Sequence, residues 1–183
     1  MNGRLDWNIK LTRNLSHFLG GSSIELRRDA NLRISVKNPL SDYEVREKVV
    51  FNPSETVEQD ESAREPPHHL SLKWESSKKT SILQVLDDKE AASALKKKKY
   101  KGEKPRAYTG DDSGEWIPIL AMECRGLEPY EFHPMKDEFI VTSEAGSKYD
   151  EDVEFGEGDW ADYDAEAEVP VSLSEIEFKF EAV

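Results

Sequence analysis

The feature that most limits what this chain can fold into is an alternation near its end. In the run VPVSLSEIEFKF, Val169, Val171 and Leu173 fall on one face, and after a small break Ile176, Phe178 and Phe180 repeat the pattern. Side chains alternate across a strand with a period of two, so the run predicts half-buried β-structure. It also settles how to read the charge. From Asp137 to Val183 there are 16 acids and 2 bases, whereas the first 136 residues nearly balance. An acidic block of that kind often marks a solvated tail. A solvated tail has no need of alternation, nor of Phe139, Val141, Val153, Phe155, Trp160 and Tyr163 set among the acids. The C-terminal third reads as folded.

The same period recurs upstream. Ile24–Leu26 and Leu32–Val36 flank Arg28-Asp29-Ala30-Asn31, which suits a turn, and Val45–Phe51, Leu70–Trp74, Ile82–Leu86 and Trp116–Cys124 are further strand candidates. Pro118 has no N–H for a ladder, so the last of these is expected to begin after it or to lie at a sheet edge. One segment breaks the pattern: Asp87-Asp88-Lys89-Glu90 opens AASALKKKKY, with Asp87 as N-cap and Glu90 three residues on, which predicts a short helix. Two long polar loops, Asn52–Pro67 and Lys96–Gly114, are expected to be mobile or disordered. Ile9-Lys10-Leu11 leads through Leu15 and Phe18 to the strands at Ile24 and Leu32, and Ile119–Glu123 leads through Leu127 and Phe132 to one at Phe139, a faint internal echo. The fold class is therefore mainly β, an antiparallel β-sandwich or barrel-like architecture of two similar halves with one short helix. The chain is read as one domain: residues 1–86 form an N-terminal β half, 87–114 a helix and lysine-rich loop, and 115–183 an acidic C-terminal β half.

Composition narrows the class of function. The formal net charge is −13, which argues against a protein that coats nucleic acid or an anionic membrane, since both require a net basic face. It permits a protein partner, a basic one included, without requiring one. Cys124 is the only cysteine, so neither an intramolecular disulfide nor a cysteine-based zinc site can form within one chain. No apolar run reaches the length of a membrane span, and the first ten residues lack the apolar core of a secretory signal. The expectation is a cytoplasmic or nuclear protein.

Two ordered motifs carry a resemblance. Glu123-Cys124-Arg125-Gly126-Leu127-Glu128-Pro129 is followed by Phe132 and Pro134, and then by Asp159-Trp160-Ala161-Asp162-Tyr163-Asp164. An ECRGLEP strand and turn followed by DW-x-DYD and a closing strand resembles the eukaryotic CXXC-motif-containing zinc-binding proteins, from Trp116 to the C-terminus. The resemblance implies an antiparallel β protein of two similar halves in which two C-x-x-C pairs of the N-terminal half hold one zinc. Here the first pair is replaced by Asn38-Pro39-Leu40-Ser41 and the second, by the nearest alignment, by Trp74-Glu75-Ser76-Ser77. Those side chains supply no thiolate, so no zinc of the family type, and no other metal or cofactor, is expected. His68 and His69, shortly before the second lost pair, are the candidates for a substitute site. Adjacent residues of a strand face opposite ways, so they read better as loop histidines after Pro66-Pro67.

The remaining signals are charged. Lys96, Lys97, Lys98, Lys99 and Lys101 read either as an import signal or small anionic contact, or as a solvated helix end. Asp150, Glu151, Asp152, Glu154, Asp159, Asp162 and Asp164 form a candidate docking face for a basic partner. Trp160 and Tyr163, shared with the family as part of DW-x-DYD, are read as core. G-x-S-x-G, P-loop and G-x-G-x-x-G motifs are missing, and Cys124 reads as a buried structural residue. The function read from the sequence is a non-catalytic protein-binding scaffold or adaptor. The alternative is a small-ligand carrier or enzyme using a cavity between the two β halves.

Overall fold

A computed structural model describes residues 6–14, 17–19, 21–59, 65–94, 104–155 and 158–182. The five-stranded sheet is built around β1 (Asp6–Asn14) and β9 (Ile117–Arg125), which pair antiparallel at its centre. β15 (Glu177–Ala182) flanks β1, while β7 (Thr80–Val85) and β6 (Leu70–Lys73) extend the sheet beyond β9. A three-stranded sheet runs β10 (Glu128–Phe132), β4 (Leu32–Lys37), β5 (Val45–Phe51). A four-stranded sheet runs β12 (Lys148–Tyr149), β11 (Phe139–Ser143), β3 (Gly21–Leu26), β8 (Tyr108–Thr109). The last sheet joins β13 (Trp160–Asp164), β14 (Val169–Ser174) and β2 (His17–Leu19). The architecture is mainly β and antiparallel, in several sheets, with no closed barrel among the described residues.

The two halves are similar and interlocked. Exchanging β1 with β9, β3 with β10, β4 with β11, β5 with β12 and β7 with β15 maps the central part of the pairing scheme onto itself, while β6, β8 and the β13–β14–β2 sheet stand outside the exchange. The pairs β1–β15, β4–β10 and β4–β5 become β9–β7, β11–β3 and β11–β12. Each half thus completes the other: β4 needs β10 from the C-terminal half, and β11 needs β3 from the N-terminal half. The Arg28–Asn31 turn accordingly carries the chain between two sheets instead of closing a hairpin. The core follows from this exchange, with Ile24, Leu32, Ile34, Leu83, Leu120, Phe139 and Val141 buried in one cluster. Phe139 stands 5.1 Å from Phe155 and 5.6 Å from Phe178 between ring centroids, which is why apolar residues persist within the acidic third.

Several expectations change. Pro118 lies inside β9, in the middle of a sheet. It is tolerated because β7 pairs only with Met122–Arg125, leaving no ladder on that side at Pro118, and because β9 bulges at the adjacent Ile119, where the register against β1 shifts between Leu11 and Thr12. The second polar loop is not structureless, since Tyr108 is buried in β8 and a 3-10 turn follows at Gly110–Asp112. The helix α1 (Asp88–Ala94) starts as the sequence predicts: Asp87 Oδ1 accepts the N–H groups of Lys89 and Glu90, and Glu90 Oε2 accepts that of Asp87. Of the first polar loop, residues 52–59 and 65–67 are described and carry neither helix nor strand.

Candidate functional site

The two segments that the resemblance places at the cysteine pairs meet in space. The turn after β4 closes with the Ser41 N–H on Asn38 O (3.1 Å), and the turn after β6 with the Ser77 N–H on Trp74 O (3.2 Å). Between them lies Glu44. Its carboxylate accepts from Asn38 Nδ2 (2.7 Å), from the Ser76 N–H (3.0 Å) and from the Ser76 hydroxyl, while Asn38 Nδ2 also reaches Ser76 Oγ at 3.4 Å. The Ser76 hydroxyl and N–H hold Glu44 below the usual carboxylate range. A charged polar clip therefore ties one turn to the other. Sequence reading missed Glu44, which sits in a short polar loop with no motif around it.

Trp74 fills the space beneath. It is buried, its indole N–H donates to Gly126 O (2.8 Å), and the Arg46 guanidinium lies 5.7 Å from its ring centroid. The Ser81 hydroxyl shares the same carbonyl at 2.8 Å. Gly126, at φ +72°, has no room for a side chain, because a Cβ there would stand 2.7 Å from Ser81 Oγ. The turn of the ECRGLEP motif is thus the floor of this site. As a donor set for zinc the four positions hold an amide, two hydroxyls and an indole that donates only, with one carboxylate already fully engaged. Structural zinc takes thiolate and imidazole ligands, so these residues do not fit it. Among the described residues no group of three or more His, Cys, Asp or Glu is arranged to hold a metal.

The other half repeats the device. Ser143 ends β11 as Asn38 follows β4. The Gly146 N–H reaches Ser143 O (3.0 Å), and the Ser143 hydroxyl donates to Asp164 Oδ2 at 2.5 Å. Asp164 Oδ1 accepts the N–H groups of Glu166 and Ala167. The Ser143 hydroxyl and the Ala167 N–H lower its pKa. Asp164 is buried and committed inside the fold, which removes it from any docking face.

The other acids of that stretch are exposed. Asp150, Glu151, Asp152 and Glu154 point outward while Val153 and Phe155 turn in, and Asp152 pairs with Lys136. Asp159 accepts the Glu175 N–H, and Asp162 accepts the Tyr163 N–H. An edge contact between Tyr149 and Trp160, 5.3 Å between centroids, brings the 150–154 and 159–162 segments side by side. Trp160 is core, but Tyr163 is 56% exposed, correcting its expected burial. In β13, Trp160 and Asp164 share the inward-facing parity, which leaves Tyr163 on the opposite side. Lys96, Lys97, Lys98, Lys99 and Lys101 lie outside the described residues.

The histidines serve the scaffold. His68 is buried with Nδ1 within 2.9 Å of Gln59 Nε2 and 3.0 Å of Pro66 O, and His69 Nδ1 accepts the Val85 N–H. Burial, with His68 beside it, lowers the pKa of His69. His133 Nε2 lies 2.6 Å from Ser35 Oγ, a spacing that in an open cleft would suggest a nucleophile and its base. Ser35 is buried and also accepts the Lys48 N–H, and the nearby Glu131 carboxylate approaches the same Nε2 instead of orienting Nδ1. The pair fastens β4 to the strand beside it. Burial pushes the Cys124 thiol far above its ordinary pKa, the opposite of an activated nucleophile. Glu138 is wholly buried, and its Oε1 accepts the Met135 N–H (2.9 Å). Its Oε2 and the neighbouring Arg33 Nε have no hydrogen-bond partner. Burial raises its pKa to about 8 against the opposing effects of that N–H and of Arg33.

Comparison with known proteins agrees with the motifs. The family model described as CXXC motif containing zinc binding protein, eukaryotic, matches residues 22–181. UPF0587 protein CG4646 of Drosophila melanogaster is 40% identical over 73 residues, covering 40% of this chain and 44% of that protein. The Xenopus laevis CXXC motif containing zinc binding protein is 37% identical over 73 residues, covering 40% of this chain and 45% of that one. The chain thus spans less than half the length of the curated relatives it matches. Two solved structures superpose along nearly the whole chain. A hypothetical protein from Plasmodium falciparum gives a TM-score of 0.77 at 20% identity, over 95% of this chain and 99% of that one. C1orf123 gives 0.76 at 20% identity, over 96% and 99%. At that identity the likeness shows the fold alone.

Proposed function

The chain belongs to the eukaryotic family of CXXC motif containing zinc binding proteins, and we propose that it is a metal-independent, non-catalytic member that works as a protein-binding scaffold. The observation that carries this reading is the Asn38–Glu44–Ser76 clip. It joins the two turns that the resemblance aligns with the C-x-x-C pairs, in a chain with a single cysteine. A hydrogen-bonded carboxylate does there what a metal does elsewhere: it cross-links two turns that would otherwise separate. The partner face is the exposed acidic surface of Asp150, Glu151, Asp152, Glu154, Asp159 and Asp162, and it suits a basic protein. The lysines of segment 96–101 would provide nuclear entry or an anionic contact, placing the protein in the cytoplasm and nucleus. The alternative of an enzyme or carrier with a cavity between the halves has less support. Among the described residues the groove beside the clip draws only Arg125 and Gly126 from the C-terminal half and holds no nucleophile–base pair.

The test is elemental analysis of untagged protein together with a melting curve in the presence and absence of a chelator. Zinc far below one per chain and an unchanged melt are expected. Stoichiometric zinc with a chelator-sensitive melt would refute metal independence. Capture of a basic partner should disappear when Asp150, Glu151, Asp152 and Glu154 are neutralised; retention of that partner removes the acidic face from the account.

A further inference from the structure

Beside the clip lies an open groove of about 930 Å³, lined by the two turns, by the start of β7 and by Arg125 and Gly126. Its character contrasts with the rest of a chain of net charge −13. Among the described residues Lys78, Lys79 and Arg125 line it with one carboxylate, that of Glu65, while Glu44 keeps its negative charge in the clip, hydrogen-bonded to neutral donors. Arg125 is answered by Glu123, whereas Lys78 and Lys79 are exposed and make no ion pair among the described residues. The groove also has an apolar lip. Leu40, which lines it, is 81% exposed and Tyr43, three residues on, is 91% exposed. These are the two least covered large hydrophobic side chains among the described residues, and both are on this one turn. Apolar residues held in the open by a turn that the clip makes rigid are what a docking surface presents.

We propose that this groove docks a short acidic, amphipathic peptide segment of a second protein, distinct from the basic partner assigned to the acidic face. Carboxylates of the segment meet Lys78 and Lys79, and its apolar side chains cover Pro39, Leu40 and Tyr43. A long polyanion such as nucleic acid is disfavoured by the net charge of −13. A short peptide occupies the groove alone. With a basic partner on one face and an acidic segment on another, the scaffold becomes an adaptor between two proteins of opposite charge. This extension rests on the scaffold reading above.

The experiment is fluorescence anisotropy on the full chain, using a fluorescein-labelled octapeptide that alternates glutamate with leucine, and a lysine–leucine counterpart. The acidic peptide should bind and be released as salt rises. Lys78→Glu with Lys79→Glu should weaken it about tenfold or more, as should Leu40→Ser with Tyr43→Ser. All four positions are exposed, so these variants keep the fold. Neutralising Asp150, Glu151, Asp152 and Glu154 should leave acidic-peptide binding intact and abolish that of the lysine peptide. No binding of the acidic peptide, or equal binding by the charge-reversed variant, overturns the groove assignment whether or not the acidic face holds. Salt-sensitive self-association lost in the same variant would make the occupant a second copy of this chain, which also overturns it.

Discussion

Glu138 should make this protein lose stability as the pH rises toward neutrality. Its carboxyl is wholly buried, one oxygen has no partner, and the neighbouring Arg33 leaves its own Nε unpaired instead of closing an ion pair. The ordinary value is 4.5 and the folded value is about 8. A raised carboxylate pKa means that the folded chain holds a proton that the unfolded chain has released between those two values. Stability attributable to the group is therefore full below the unfolded value and falls as pH climbs toward the folded one. Between pH 5 and 7 the loss amounts to about 2.5 kcal/mol, from the difference in proton binding at the two pKa values. Glu138→Gln keeps an acceptor for the Met135 N–H and cannot ionise. Thermal melts of both proteins at matched pH isolate the effect. The variant should gain on the wild type between pH 5 and 7 by about 5–10 °C for a domain of this size. A difference that stays flat over that range would refute the reasoning, and would mean that Glu138 is ionised with Arg33 as its counter-charge.

Other perturbations read other parts of the structure. Gly126→Ala forces a Cβ against Ser81 Oγ at positive φ and should cost about 1–3 kcal/mol in denaturant melts. Adding Ser81→Ala should recover only part of it, because the backbone strain remains; full recovery would show that φ costs nothing there. The Glu44 clip has the opposite pH sense to Glu138, because its folded pKa is lowered. Its contribution is present above the ordinary carboxylate value and lost as pH falls through the folded one, so the melting gap between wild type and Glu44→Gln should close on acidification. Cys124 should resist thiol reagents in the native protein and react at the rate of unfolding, which stopped-flow labelling with and without urea would distinguish.

The period-two runs were legible where burial of one face leaves its mark in every second residue, as at Val171 and Leu173 of β14, although Val169 is exposed and β15 is half-buried without alternation. The capping box at Asp87 was legible because its chemistry is local. What escaped reading depends on contacts between residues distant in sequence. Nothing near Pro118 reveals that its ladder-free side faces the short end of β7. Nothing near Glu44 shows that Ser76 will come to meet it, and the inward parity of Asp164, with Tyr163 turned out, is set by the pairing of β13 with β14. The turns at Asn38 and Trp74 were singled out by resemblance alone, and they lie side by side. The exchange of β10 and β3 between halves has no local signature at all.

That exchange has a consequence for the chain cut in two. Severed in the lysine-rich segment 96–101, the N-terminal fragment would present β4 without β10 and the C-terminal fragment β11 without β3, each with an open edge and an uncovered half of the core. Neither piece can bury enough apolar surface alone, and bare edges favour aggregation. Together each supplies the strand the other lacks, along with the central β1–β9 ladder. The molecule is in effect a tightly self-complementing pair whose covalent link sets the local concentration of the two parts but adds nothing to the pairing itself.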